Sequence, residues 1–155
     1  MISSITLDDA LARGGPSAAS FARLWRSLWD QPYLPNDLLE LCRLTFARLH
    51  ADKVEMESGN ALAPGIASHQ RQAVLADRAL DDPALPDDWK SVLLFAEYYW
   101  IDTQSIPDDV ADSVKAHHGE AGLVFLIEAL GCLDGRIRTA RCLRDLAAGG
   151  LANDR

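Results

Sequence analysis

Apolar positions along the chain recur every three or four residues, and most of these runs stop at a proline or a glycine. From Ser17 to about Asp30, Phe21, Leu24, Trp25 and Leu28 mark one face of a helix. Pro32 and Pro35 end it. The next helix is expected to take Asn36 as its N-cap and Asp37 in its first turn, with Leu38, Leu41, Cys42, Thr45, Phe46 and Leu49 as its apolar stripe. Ser58-Gly-Asn-Ala-Leu-Ala-Pro-Gly65 reads as a loop, and a more polar helix is expected over Ala67–Leu80. A strongly apolar and aromatic helix follows from Asp87 to about Asp102, carrying Trp89, Val92, Leu93, Phe95, Ala96, Tyr99 and Trp100. Ser105 or Ile106 then caps a short helix with Pro107 at an early position. Gly119 divides it from a long last helix, about Glu120 to Leu146, beyond which Gly149-Gly150 and a polar tail are expected to fray. No stretch alternates at the period of a β-strand, and no internal repeat is visible. The expected fold is all-α, about six helices in a single domain: a lead over 1–15, a helical core over 16–146 and a tail over 147–155.

Composition narrows the partners. The 155 residues are 48% hydrophobic and 25% charged, the balance of a chain that buries a core. A net charge of −8 argues against nucleic acid and anionic membranes, because phosphate contacts need clustered Lys and Arg. The one basic cluster, Arg136, Arg138, Arg141 and Arg144, is expected near a helix end, where cations complement the dipole. No basic, apolar leader opens the chain and no apolar run approaches about 18 residues, so neither secretion nor a membrane span is expected. Cys42, Cys132 and Cys142 are odd in number and form no CxxC, which suits a reducing, cytoplasmic setting with the thiols as small core residues. Phosphate-loop, dinucleotide, nucleophile-elbow and HExxH patterns are all lacking, so no cofactor and no metal are expected.

The chemistry, if any, starts at Glu40, an acid set in the apolar run Leu-Leu-Glu-Leu-Cys. Twelve residues later comes Asp52-Lys-Val-Glu55, and four residues after Glu55 comes Gly59. Downstream stand Leu93-Leu-Phe-Ala-Glu97, Ile106-Pro-Asp-Asp-Val110 and Ala129-Leu-Gly-x-x-Asp-Gly-Arg136. In order and spacing these pieces, over roughly residues 20–146, resemble the alkylhydroperoxidase D-like / carboxymuconolactone decarboxylase family. The resemblance implies that family's helical fold and a homo-oligomer, a dimer, trimer or hexamer. It places Glu40 on the family's proton-relay glutamate, Asp52 and Glu55 on the two cysteines of its CxxC, and Gly59 on its histidine. A carboxylate cannot attack peroxide or resolve a sulfenic acid, so dithiol peroxidase chemistry is not expected. Decarboxylase-like relatives lack the CxxC and carry an acid at the second cysteine position, which Glu55 matches. Trp89 stands where relatives often have a glutamate.

Several readings of Glu40, Asp52 and Glu55 stay open. Asp52 and Glu55 have the spacing of a capping box at a helix start. Glu40 and Glu55, with Asp52, form a candidate proton-transfer or ligand-binding set. The same carboxylates with His50 are a weaker metal set. Along a straight helix Glu40 and Asp52 would lie about 18 Å apart. They meet only if the chain turns near His50-Ala51, where relatives often have glycine and this chain does not. Three functions follow: binding or processing of a small organic molecule by carboxylate-mediated proton transfer, a non-catalytic helical oligomer that has lost the site, or a residual antioxidant role. His117-His118 and His69 are expected to be ordinary polar residues, and the four tryptophans core or interface. Gly131-x-x-x-Gly135 allows close helix approach within or between chains.

Overall fold

The computed structural model describes residues 13–153, with side chains through residue 146. The expected lead therefore lies mostly outside the described residues, as do residues 154–155 of the tail. Among the described residues six helices follow in order: α1 Pro16–Ser27, α2 Asn36–Leu49, α3 Lys53–Glu57, α4 Ser68–Leu75, α5 Asp87–Ile101 and α6 Asp108–Asn153. No strand occurs among the described residues. The protein is all-α, as the periodicity predicts.

The organising element is α2. All ten residues from Leu38 to Ala47 are buried, on every side of the helix. The sequence predicts only a stripe. The difference arises because α3, α4, α5 and α6 all pack on α2, so it has no solvent face over that stretch. Phe46, Leu38, Leu39, Leu41 and Leu44 are fully buried together with Phe95, Leu126, Leu130 and Leu133 from α5 and α6. This central position forces two charged side chains, Glu40 and Arg43, into the core beside them.

Asn36 is not the cap. Pro35 occupies that position, Asn36 is the first helical residue, and its amide donates instead to the Trp29 carbonyl at 2.8 Å, tying α2 to the preceding turn. α4 stops at Leu75, short of the expected Leu80, because Asp77 enters the left-handed region (φ 57°) and turns the chain. Pro107 precedes α6, which begins at Asp108. Gly119, at φ 74° and ψ 173°, interrupts α6 between its short first arm and its long second arm, the division expected from the sequence. The long arm continues through Gly149-Gly150 to Asn153, past the expected end near Leu146. The arginine cluster consequently lies in the body of the helix, and its last turn has no basic residue. Complementing the dipole is therefore not what those arginines do. Gly131 serves an approach within the chain: a Cβ there would stand 3.1 Å from the Tyr99 hydroxyl of α5.

The end of α2 decides whether a site can exist. Ala51 takes φ 53°. Its N–H donates to the Arg48 carbonyl at 2.8 Å, and the Asp52 N–H donates to the Ala47 carbonyl at 2.9 Å. That is a Schellman closure, with alanine where glycine is usual. A left-handed alanine costs about 1–2 kcal/mol. The closure satisfies two end carbonyls in return and folds α3 back along α2.

Candidate functional site

Folding α3 back brings Glu40, Asp52 and Glu55 together, but through arginines. Arg43, one turn past Glu40, grips it with two parallel bonds, Nε to Oε2 at 2.8 Å and Nη2 to Oε1 at 2.6 Å. Its Nη1 donates to the Glu55 carboxylate at 3.0 Å and to the Glu55 carbonyl at 3.1 Å, and Nη2 also donates to the Ser58 carbonyl at 3.2 Å. All five guanidinium N–H groups are thus used. Asn60 adds a third bond to Glu40, Nδ2 to Oε2 at 3.1 Å. Burial works against the Arg43 charge, but the Glu40 and Glu55 carboxylates outweigh it and hold its pKa above the ordinary value.

Asp52 caps α3: its Oδ1 accepts from the Glu55 N–H at 3.2 Å. The reciprocal half of a capping box is missing, because the Glu55 side chain turns to Arg43 and to Arg144 (Nη1 to Oε1, 3.5 Å). The other Asp52 oxygen accepts a short bond from Arg144 Nη2, and Arg141 Nε stands 4.0 Å from it. The chain from Glu40 through Arg43 and Glu55 to Arg144 and Asp52 therefore alternates in charge and joins α2, α3 and α6. The structure supports the cap for Asp52 and convergence for all three acids.

Burial separates their roles. The Glu40 and Asp52 side chains are almost sealed, whereas Glu55 keeps 18% of its side-chain surface exposed. It faces a cavity of about 340 Å³ that is also lined by Trp25, Arg43, Gly59, Asn60 and Arg136. The Arg136 guanidinium lies 4.3 Å from the Trp25 ring centroid. A Cβ built on Gly59 would meet nothing within 4 Å, so this position opens onto free space.

His50 does not join the carboxylates as a ligand. Its Nε2 lies 2.6 Å from Asp134 Oδ1, and Arg141 Nη1 lies 3.3 Å from Nδ1 and donates to the His50 carbonyl at 3.0 Å. Arginine only donates, so Nδ1 is the acceptor and Nε2 carries the proton toward Asp134. The Trp100 indole N–H, 3.4 Å from the same Nε2, is then a packing contact, with the rings edge-on. Among the described residues no group of His, Cys, Asp and Glu is arranged to hold a metal ion. His118 meets the Asp88 carbonyl at 3.2 Å.

Sequence reading missed Arg43, Arg144 and the His50–Asp134 pair. One signal was present: an acid and a base three apart in an otherwise apolar window form a natural intrahelical pair. Nothing local pairs Asp52 with Arg144, ninety-two residues on.

The thiols make no bond within this arrangement and are unpaired. Burial, with the nearby Glu40 charge, pushes Cys42 up to about 12. Burial also raises Cys132, partly offset by Arg136. Cys142 is exposed. Native protein treated with an aromatic disulfide reagent at pH 8 is therefore expected to react quickly at Cys142 alone. Cys42 and Cys132 should react only after denaturation, and Cys142→Ser should abolish the fast phase; fast labelling of Cys42 would contradict its burial.

No family model, no curated protein and no solved structure matches the chain.

Proposed function

We propose that the chain is a helical protein of the alkylhydroperoxidase D-like type without dithiol peroxidase activity, and that it binds a small organic molecule in the cavity beside Glu55. The observation that carries this reading is the placement of Glu55. Of the three acids selected by spacing, it alone belongs both to the ion network and to a cavity lining. Its side chain is part-exposed at the cavity, within reach of a bound molecule, so its role is that of a base accepting a proton from the ligand. Glu40 and Asp52 position it, Glu40 by fixing Arg43 and Asp52 by fixing Arg144 and the start of α3. The resemblance in the sequence further implies a homo-oligomer. Val124 and Ile127, adjacent on α6 and 53% and 43% exposed, are apolar surface that such an assembly would cover.

A second reading, a non-catalytic helical protein, is favoured by the saturation of the network: Arg43 has no N–H to offer and Glu40 already accepts three bonds. An antioxidant role has no support from the thiols, two of which are buried.

Three measurements separate these. Turnover of cumene hydroperoxide with a dithiol reductant is expected to show no cysteine-dependent rate; a rate lost in Cys→Ser variants would restore the antioxidant reading. A ligand-observed NMR screen of keto acids, lactones and aromatic acids is expected to give binders whose affinity falls about tenfold or more in Gly59→Trp, whose Cβ has free space and whose ring would fill the cavity. Unchanged binding in that variant would remove the cavity from consideration. Deuterium exchange into a bound keto acid, stopped by Glu55→Gln, is expected for a base. Binding without exchange would leave the non-catalytic reading standing.

A further inference from the structure

A second cavity, of about 520 Å³, is lined by His50 and by Arg138, Arg141, Cys142, Asp145 and Leu146 of α6. It shares no lining residue with the cavity beside Glu55. Its two arginines are held in place by part of their donor sets only. Arg138 spends Nε on Asp134 Oδ2 at 2.6 Å. Arg141 spends Nη1 on the His50 carbonyl and ring, with Nε 4.0 Å from Asp52. Both Nη groups of Arg138 and Nη2 of Arg141 have no protein partner among the described residues. The side chains are 63% and 43% exposed, so these donors are open to solvent. Behind them His50 is fixed by Asp134 and by the edge of Trp100, so the backing of the cavity is rigid.

We infer that this cavity is a binding site for a small organic monoanion, a carboxylate held by Arg138 and Arg141. Guanidinium groups match a carboxylate's geometry, and pre-positioned donors lose little freedom on binding. The charge of the ligand follows from the lining. Among the lining residues Arg138 and Arg141 give two positive charges and Asp145 one negative, and Asp134 behind Arg138 offsets part of the remainder, so the lining matches no more than a singly charged anion. A dianion such as phosphate would overshoot that charge and meet Asp145. The volume admits a ligand with an apolar body, for which Leu146 (61% exposed) offers contact. The site is independent of the Glu55 reading, because neither Arg138 nor Arg141 lines that cavity.

The test is titration of the full chain with sodium benzoate, and separately with inorganic phosphate, at constant ionic strength set by chloride, followed by NMR of the arginine Nε–H and tryptophan indole signals. Benzoate is expected to shift the Arg138, Arg141 and Trp100 signals saturably and to bind more tightly than phosphate. Arg138→Gln is expected to weaken benzoate about tenfold, the loss of one charge-assisted contact. Asp145→Asn is expected to tighten it, a gain that a purely structural role for Asp145 would not produce. Arg141→Gln should weaken it as well, but this side chain also braces His50. Arg138→Gln, on an exposed side chain, therefore keeps the test decisive should Arg141→Gln fail to fold. Gly59→Trp should leave benzoate binding here unchanged. Unsaturable shifts, equal affinity in Arg138→Gln, or tighter binding of phosphate than of benzoate would each overturn the proposal.

Discussion

Arg43→Ala is expected to destabilise the protein by about 3–5 kcal/mol, the cost of breaking a buried ion pair by removing one partner. The guanidinium is 5% exposed and its Glu40 partner 2%. Its removal would leave Glu40 as a buried charge with only Asn60 for company, and would leave the Glu55 carbonyl with Ser58 Oγ and the Ser58 carbonyl with Arg71 as their remaining side-chain donors. Equilibrium urea unfolding reads the loss directly. The double substitution Glu40→Leu with Arg43→Met should recover most of it, because a hydrophobic pair of similar volume avoids desolvating two ions. The recovery would be incomplete, since Glu55 also leans on Arg43. A cost under about 1 kcal/mol for Arg43→Ala would mean that water reaches this pair and that the network does not organise the core.

Asp52→Ala is expected to cost about 1–3 kcal/mol, and here two contributions can be separated. The N-cap bond to Glu55 N–H contributes about 0.5–2 kcal/mol. The pair with Arg144, whose side chain is 35% exposed, contributes less, about 0.2–1 kcal/mol after solvent screening. Asp52→Asn keeps a capping oxygen and loses only the charge, so it should retain most of the stability at pH 7. Raising the salt concentration should shrink the Asp–Asn difference and leave the Asp–Ala difference largely intact. Equal destabilisation by Asn and Ala would show that the ion pair, not the cap, fixes the start of α3. In either variant the position of Glu55 loosens, so the proton-exchange experiment is also expected to weaken.

The local features of this protein were legible where the physics is local. Helical periodicity and proline–glycine punctuation place α1, α2, α4, α5 and both arms of α6, and Gly119 marks the break in α6 because few residues besides glycine reach φ 74° at no steric cost. Asp52 could be read as a cap from its three-residue spacing to Glu55, since a cap bond spans one turn of chain. The same local reasoning failed at Asn36, where the side chain found a better acceptor in the Trp29 carbonyl, and at the end of α6, which runs through two glycines to Asn153. It failed again at the arginine cluster. Arg141 and Arg144 bind groups on the turn and helix that follow α2, and no spacing along α6 announces that.

Spacing alone also selected Glu40, Asp52 and Glu55, and distance along a straight helix argued against their meeting. Ala51 resolved this by adopting a conformation usually left to glycine, and no neighbouring residue announces that. What the amino-acid sequence determined by itself was the helical class, the order of the elements and the acids worth examining, because these depend on periodicity and on bonds within a turn or two. Only the tertiary structure decided that α2 is enclosed on all sides, that Glu40 and Glu55 share Arg43, and that Glu55 lines a cavity. Those outcomes depend on which distant segments pack against one another. That is set by the burial of the whole apolar surface, and a buried charge takes whatever partner the packing brings within reach.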